Sequence, residues 1–127
     1  MSIFYKSFRG NVLSGELETV AIGVLLVGSK FEPDASLTNR KDITGEVTGQ
    51  GYQPGGLPLV NQRIENGVFT GDHVSWKKAT IRATGAVLYK QAGGQLICYV
   101  DFGEERASTN GDFRVKWDAE GILNLLA

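Results

Sequence analysis

The side chains that could perform chemistry are few and scattered along the chain. The single histidine, His73, follows Asp72, and the single cysteine, Cys98, lies in a later apolar segment. A hydrolytic triad needs a nucleophile beside a histidine that a carboxylate orients, and the sequence places no nucleophile with this pair. One histidine and one cysteine so far apart also lack the spacing of a zinc site, although a loop calcium site made of carboxylates stays open. We therefore predict no catalytic, metal or cofactor site, and we expect His73 to be structural or solvent-exposed.

Two further patterns suggest chemistry at first sight. Glu104 and Glu105 form an acidic pair, but Arg106 follows them, and a solvated loop is the simpler interpretation than paired acid/base catalysis. The glycine-rich run at 49–56 suggests a phosphate loop, yet it lacks the lysine and Ser/Thr that such a loop requires. We interpret it as a turn-rich connection and predict that the protein is not an enzyme.

Aromatic side chains leave a second class of function open. If Tyr52, Trp76 and Tyr89 were exposed together, they could line a sugar-binding face, which would make the chain a carbohydrate-binding module. Trp117, by contrast, shares a strand face with Phe113 and is expected in the core. Cys98 is expected to be a small buried apolar residue.

Length and charge limit the alternatives. The 127 residues suit one domain, 1–127, which can bury about two-thirds of the surface of its unfolded chain. A formal net charge of −1 gives no overall attraction to nucleic acid or to a membrane. Lys6 and Arg9 interrupt the apolar run that a signal peptide would need, and no apolar stretch is long enough to span a membrane. We expect a soluble protein made in the cytoplasm.

The strongest structural signal is a strand pair in the second half of the chain. Residues 80–90 are rich in β-branched residues, Gln91–Gly94 suit a tight connection, and residues 95–102 form a second apolar segment. A polar loop is predicted over residues 103–111. Residues 112–118 alternate, with Phe113, Val115 and Trp117 on one face.

The remaining segments complete a mainly β prediction. Residues 18–27 suit an interior strand, residues 43–50 an alternating strand, and residues 57–65 a broken strand that Asn66-Gly67 joins to residues 68–71. Residues 3–14 suit a short helix, with an edge strand as the alternative. The fold class is a single-domain antiparallel β-sandwich, jelly-roll-like or a flattened barrel, with a short N-terminal helix.

The polar connection at residues 28–41 is the candidate partner-binding segment. Long loops in compact domains are often functional, and this one carries two apolar residues without an evident strand. The predicted partner-binding residues are Lys30, Phe31, Leu37 and Arg40. The alternative is a surface loop whose apolar residues, Phe31 and Leu37, fold back on the domain.

Several motifs together resemble a family of small structural proteins of tailed bacteriophages and prophages. The motifs are Ile43-Thr44-Gly45-Glu46-Val47, Gly49-Gln50-Gly51-Tyr52-Gln53-Pro54-Gly55-Gly56, Trp76, Ala79-Thr80-Ile81-Arg82-Ala83-Thr84-Gly85-Ala86-Val87, Tyr99-Val100-Asp101-Phe102-Gly103, Ser108-Thr109-Asn110-Gly111-Asp112-Phe113 and Trp117-Asp118-Ala119-Glu120-Gly121-Ile122. The resemblance spans nearly the whole chain.

The resemblance implies a non-enzymatic virion component made in the host cytoplasm. Size and fold favour a capsid decoration or cement protein that binds the major capsid protein, with a tail, baseplate or head–tail connector subunit as the alternative. A subunit that binds a lattice is expected in multiples, which suggests a homodimer or homotrimer.

Overall fold

The structure is a computed structural model that describes residues 2–4, 21–32, 39–65, 68–117 and 123–124. Within these residues the protein is mainly β, as predicted. The strands are β1 (Ser2–Phe4), β2 (Ile22–Val27), β3 (Leu57–Pro58), β4 (Arg63–Glu65), β5 (Val68–Thr70), β6 (Val74–Lys90), β7 (Leu96–Val115) and β8 (Leu123–Asn124). A single 3-10 turn, Arg40–Asp42, is the helical element of this part of the chain.

The strands form two antiparallel sheets. The larger sheet has the order β1-β7-β6-β2-β3, and the smaller has the order β4-β5-β8. The antiparallel, mainly β prediction is confirmed, whereas the sandwich or flattened barrel is not. No helix in the described ranges is long and apolar enough to cross a membrane.

A long hairpin of β6 and β7 is the centre of the larger sheet. Its turn lies at residues 91–94, where Gly93 and Gly94 adopt φ of 82° and 80°, a region that suits glycine. Pairing runs from Tyr89 opposite Leu96 to Val74 opposite Val115 and is interrupted by β-bulges. We call residues 74–83 and 104–117 the distal half of this hairpin.

The prediction of a loop at residues 103–111 is wrong, because β7 continues through these residues. Most of these side chains are exposed, so the segment lacks the apolar alternation by which a strand is recognised in a sequence. Pairing with β6 keeps it extended, as Ile81 opposite Ser108 and Arg82 opposite Ala107 illustrate.

Strand β2 is the interior strand predicted from residues 18–27. All six of its residues are buried. Ile22, Val24 and Leu26 join the larger apolar cluster on one side, while Leu25 and Val27 join a smaller cluster on the other. Burial on both faces explains why this strand is a continuous apolar run.

Two predictions near the N-terminal half need correction. No N-terminal helix is seen: Ser2–Phe4 is an edge strand paired with β7, the alternative named above, and residues 5–14 lie outside the described ranges. Residues 43–50 form no strand and make only an isolated bridge, Glu46 opposite Val27. Glycines at 45 and 49, both with positive φ, bend the backbone out of the extended conformation.

Candidate functional site

An open polar groove of about 580 Å³ lies on the surface of the hairpin's distal half. It is lined by residues 28–30, by residues 45–48 and by residues of β6 and β7. Its principal polar residues are Lys30, Glu46, Thr48, Thr80, Arg82 and Glu105.

Gly28 and Gly45 allow two segments that line the groove, 28–30 and 45–48, to approach each other closely. The amide of Gly28 donates to the carbonyl of Gly45 at 2.9 Å, and the amide of Phe31 donates to the carbonyl of Gly28 at 3.0 Å. A Cβ on Gly45 would lie 2.5 Å from the backbone nitrogen of Phe31, and φ there is 80°. A larger residue at position 45 would therefore push the two segments apart.

The charges that line the groove differ in how firmly they are held. Arg82 Nη1 lies 3.3 Å from Glu105 Oε1, but both side chains are exposed, at 76% and 43%. An exposed pair of this kind contributes at most about 1 kcal/mol and exchanges readily with other partners. Lys30 is exposed and makes no ion pair with any described residue.

The carboxylate of Glu46 is already engaged. Its Oε2 accepts hydrogen bonds from the Tyr52 hydroxyl at 2.5 Å and from the Gly55 amide at 2.7 Å. The Tyr52 hydroxyl in turn accepts from the Leu26 amide at 3.0 Å. Burial, and then the hydrogen bond to Glu46, raise the pKa of Tyr52. Glu46 thus anchors the 49–56 loop beside the edge of β2 opposite β6.

Basic residues outnumber acidic ones in the distal half, where Arg106 Nη2 also lies 3.4 Å from Glu104 Oε1. This part of the chain has six basic residues, Lys77, Lys78, Arg82, Arg106, Arg114 and Lys116, and three acidic ones, Glu104, Glu105 and Asp112. Lys77 Nζ bonds Asp112 Oδ2 at 3.0 Å and holds the pKa of that carboxyl below its usual value. Arg114 Nε donates to the Ser75 hydroxyl at 3.1 Å, and the charge of Arg114 also helps to lower the pKa of Asp112.

Three of the four predicted partner-binding residues, Lys30, Phe31 and Arg40, lie in the described ranges. Lys30 lines the groove. Phe31 is 7% exposed and packs against Tyr99, with ring centroids 5.0 Å apart, so it folds back on the domain as the alternative stated. The Arg40 guanidinium lies over the Tyr89 ring at 5.3 Å, while Leu37 is outside the described ranges.

The aromatic residues proposed for sugar binding are buried. Tyr52, Trp76 and Tyr89 are 8%, 2% and 5% exposed. Tyr89 also donates its hydroxyl to the Gly55 carbonyl at 2.7 Å. None of the three offers a ring face to a sugar, and no observation on these residues favours the carbohydrate-binding alternative.

The single histidine and the single cysteine both take part in structural contacts. His73 is exposed, as predicted, and its Nδ1 accepts from the Trp117 amide at 3.1 Å. Cys98 is fully buried, as predicted, and this burial raises the pKa of its thiol. Across the described ranges, no group of three His, Cys, Asp or Glu side chains is placed to hold a metal ion.

Sequence reasoning missed the groove, because its parts come from four separate segments. The signal available in the sequence was the pair of glycines at 28 and 45. These glycines indicate two bends of the chain, but they do not indicate that the bends contact each other. Comparison of the chain with protein-family models, curated proteins and solved structures gives no match.

Proposed function

We propose that this chain is a non-enzymatic structural subunit of a tailed-bacteriophage particle, most specifically a decoration or cement protein of the capsid. The observation that carries the proposal is the convergence of the segments that resemble that family. Thr80 N donates to Gln50 O at 2.9 Å, and Gln50 Nε2 lies 3.4 Å from Asn110 Oδ1. These contacts join three of the resembling segments, 49–56, 79–87 and 108–113, in one part of the fold.

The aromatic residues of the same motifs also pack together. The Tyr52 and Trp76 rings are 6.0 Å apart, and the Trp76 and Phe113 rings are 6.4 Å apart with an edge-to-face arrangement. Aromatic contacts of this kind stabilise a core. The motif residues therefore support a shared architecture, and a role in assembly is argued from that architecture.

The polar groups of the motifs support a structural role as well. The hydroxyls of Tyr52 and Tyr89 and the carboxylate of Glu46 bond backbone atoms of the 49–56 loop and of β2. These groups hold one segment against another. In the proposed role the subunit would bind the major capsid protein in the virion, as a homodimer or homotrimer, after synthesis in the host cytoplasm.

Quantitative mass spectrometry of purified phage particles tests the proposal. The chain should be present after gradient purification, in many copies per particle. A handful of copies would instead indicate the tail, baseplate or connector alternative. Complete absence from particles whose major capsid protein is readily detected would refute a virion role.

A further inference from the structure

We infer that Asn110 is a site of spontaneous covalent modification, at which its side-chain amide is lost and aspartate or isoaspartate forms. Asn110 is exposed, Gly111 follows it, and both lie where the regular pairing of β6 with β7 is interrupted. The reaction needs only water and does not depend on the proposed function.

The reaction begins at the peptide bond between the two residues. The backbone nitrogen of Gly111 attacks Cγ of Asn110, and the bond between Cγ and Nδ2 breaks. Nδ2 leaves as ammonia and takes with it the proton of the Gly111 amide, so that a cyclic imide remains. Water then adds to one of the two imide carbonyl carbons and opens the ring, which gives aspartate or isoaspartate.

A β-bulge keeps Asn110 out of the regular ladder. Between two successive ladder pairs, β7 advances by three residues, from 111 to 108, while β6 advances by two, from 79 to 81. Thr109 and Asn110 lie between these pairs and have no partner in the ladder. The backbone amide of Asn110 donates instead to the Thr80 hydroxyl at 2.8 Å, and its φ is 48°, a left-handed conformation that asparagine adopts more readily than most residues.

The side chain of Asn110 is only weakly held. Its Oδ1 lies 3.4 Å from Gln50 Nε2, longer than the usual hydrogen-bond range of about 2.7–3.2 Å. Its Nδ2, the nitrogen that leaves, makes no hydrogen bond with any described residue. The side chain can therefore turn toward the backbone nitrogen of Gly111 without breaking a short bond.

Gly111 leaves the attacking nitrogen accessible, because it has no side chain beside that atom. A Cβ built on Gly111 would meet only the Thr109 carbonyl oxygen, at the ordinary contact distance of 3.6 Å, and φ there is outside the left-handed region. Alanine therefore fits at this position. The variant Gly111→Ala crowds the nitrogen and is expected to keep the fold.

Asn61 is the natural control for Asn110. It is also exposed and has a similar φ, 56°. Its Nδ2, however, donates to Asp72 Oδ2 at 2.7 Å, and Gln62 rather than glycine follows it. Asn61 is therefore expected to keep its amide under conditions in which Asn110 loses it.

Either product changes the surface beside the groove, which the preceding residue, Thr109, lines. A carboxylate replaces a neutral amide, so the chain becomes one unit more negative than its formal charge of −1. Aspartate keeps the backbone intact and can still accept from Gln50. Isoaspartate adds a carbon atom to the backbone before Gly111 and so displaces Gly111 relative to its ladder partner, Ala79.

The test is a peptide map of the folded full chain during incubation at mildly alkaline pH, below its melting temperature. Trypsin places Asn61, Asn66 and Asn110 in separate peptides, so mass spectrometry scores each asparagine by itself. Peptide 107–114 is expected to acquire the mass of the acid and to separate into two chromatographic forms, aspartate and isoaspartate. The Asn61 peptide should stay unchanged, and Gly111→Ala should slow the conversion several-fold.

Three results would overturn the inference. The first is an unchanged Asn110 in the folded chain while the free synthetic peptide 107–114 converts, because the fold would then protect the amide. The second is equal conversion rates in the parent and in a Gly111→Ala variant that circular dichroism shows to be folded. The third is conversion of Asn61 as fast as that of Asn110.

Discussion

The two tryptophans of the core differ in one polar atom. Trp117 Nε1 donates to the Asp72 carbonyl at 2.8 Å, whereas Trp76 Nε1 is the buried side-chain nitrogen without a partner among the described residues. An unsatisfied buried donor costs about 1–3 kcal/mol. Trp76 keeps its place through packing, because it contacts Tyr52 and Phe113.

Phenylalanine at each position separates packing from hydrogen bonding. Trp117→Phe and Trp76→Phe remove the same volume, but only the first breaks a bond, and only the second removes an unsatisfied donor. Trp117→Phe should therefore reduce the free energy of unfolding by at least about 1 kcal/mol more than Trp76→Phe does. Chemical denaturation of both variants checks this, and equal losses would show that the indole N–H groups have equivalent surroundings.

Buried tyrosines make stability fall at alkaline pH. The pKa of Tyr52 is raised in the folded state, chiefly by burial, while the unfolded chain keeps a value near 10.0. Above that pH the unfolded state loses a proton that the folded state retains, so unfolding is favoured by about 1.4 kcal/mol per pH unit for each such group. Below it the contribution is fully present.

Tyr52→Phe should flatten this dependence. The variant loses the hydrogen bonds of the hydroxyl and so has a lower midpoint at neutral pH, yet its stability should decline less steeply above pH 10. Denaturation midpoints measured from neutral to alkaline pH give the slope. An unchanged slope would mean that Tyr52 ionises alike in the folded and unfolded states.

At the scale of elements, the edge of β2 opposite β6 is covered by Val47, by Tyr52 of the 49–56 loop and by β3. Val47 N donates to Leu26 O at 3.0 Å, and β3 pairs with Gly23 and Val24. An exposed apolar strand edge would be a site of aggregation, and this loop covers it. Gly56 permits the contact, because a Cβ there would lie 1.9 Å from the Val24 carbonyl oxygen.

Alanine at two glycines tests the importance of that contact. Gly56 and Gly93 have similar φ, 74° and 82°, but a Cβ on Gly93 would meet nothing within 4 Å. Gly93→Ala should cost only the strain of a positive φ, about 1–2 kcal/mol. Gly56→Ala should cost clearly more and increase thioflavin-T-positive aggregation, since the edge of β2 is uncovered. Similar losses in both variants would contradict the close approach.

A strand can be predicted from the sequence when the burial of its side chains creates a recognisable pattern of apolar residues. β2 and the start of β7 were predicted correctly because burial on both faces makes an apolar run. Residues 112–115 were predicted as a strand from the alternation that one buried face makes, but β7 ends at Val115, before the predicted end at residue 118. Residues 103–111 were mispredicted because their extended conformation comes from pairing with β6, which side-chain type does not record. The groove arises from contacts between distant turns and has no local pattern.

The position of Phe31 also could not be predicted from the sequence alone. A lone apolar residue in a polar connection suits either docking or folding back, and its packing on Tyr99 decides for the second. Phe31→Ser should therefore lower the melting temperature of the isolated chain, by a loss of about 3 kcal/mol or more for a buried aromatic. A melting temperature equal to that of the parent would mean that the ring is not held in the core.

At the scale of the whole molecule, the formal charge is distributed unevenly along the sequence. The distal half of the hairpin has six basic and three acidic residues, and Lys77, Arg82 and Arg106 each pair with one of the acidic residues. The basic excess of this half therefore consists of Lys78, Arg114 and Lys116.

Co-sedimentation with phage heads assembled without the chain is the most direct test of the central claim. Purified chain should bind such heads saturably, with many copies per head at saturation. Failure of the parent chain to sediment with the heads above its level in a head-free tube would contradict the account.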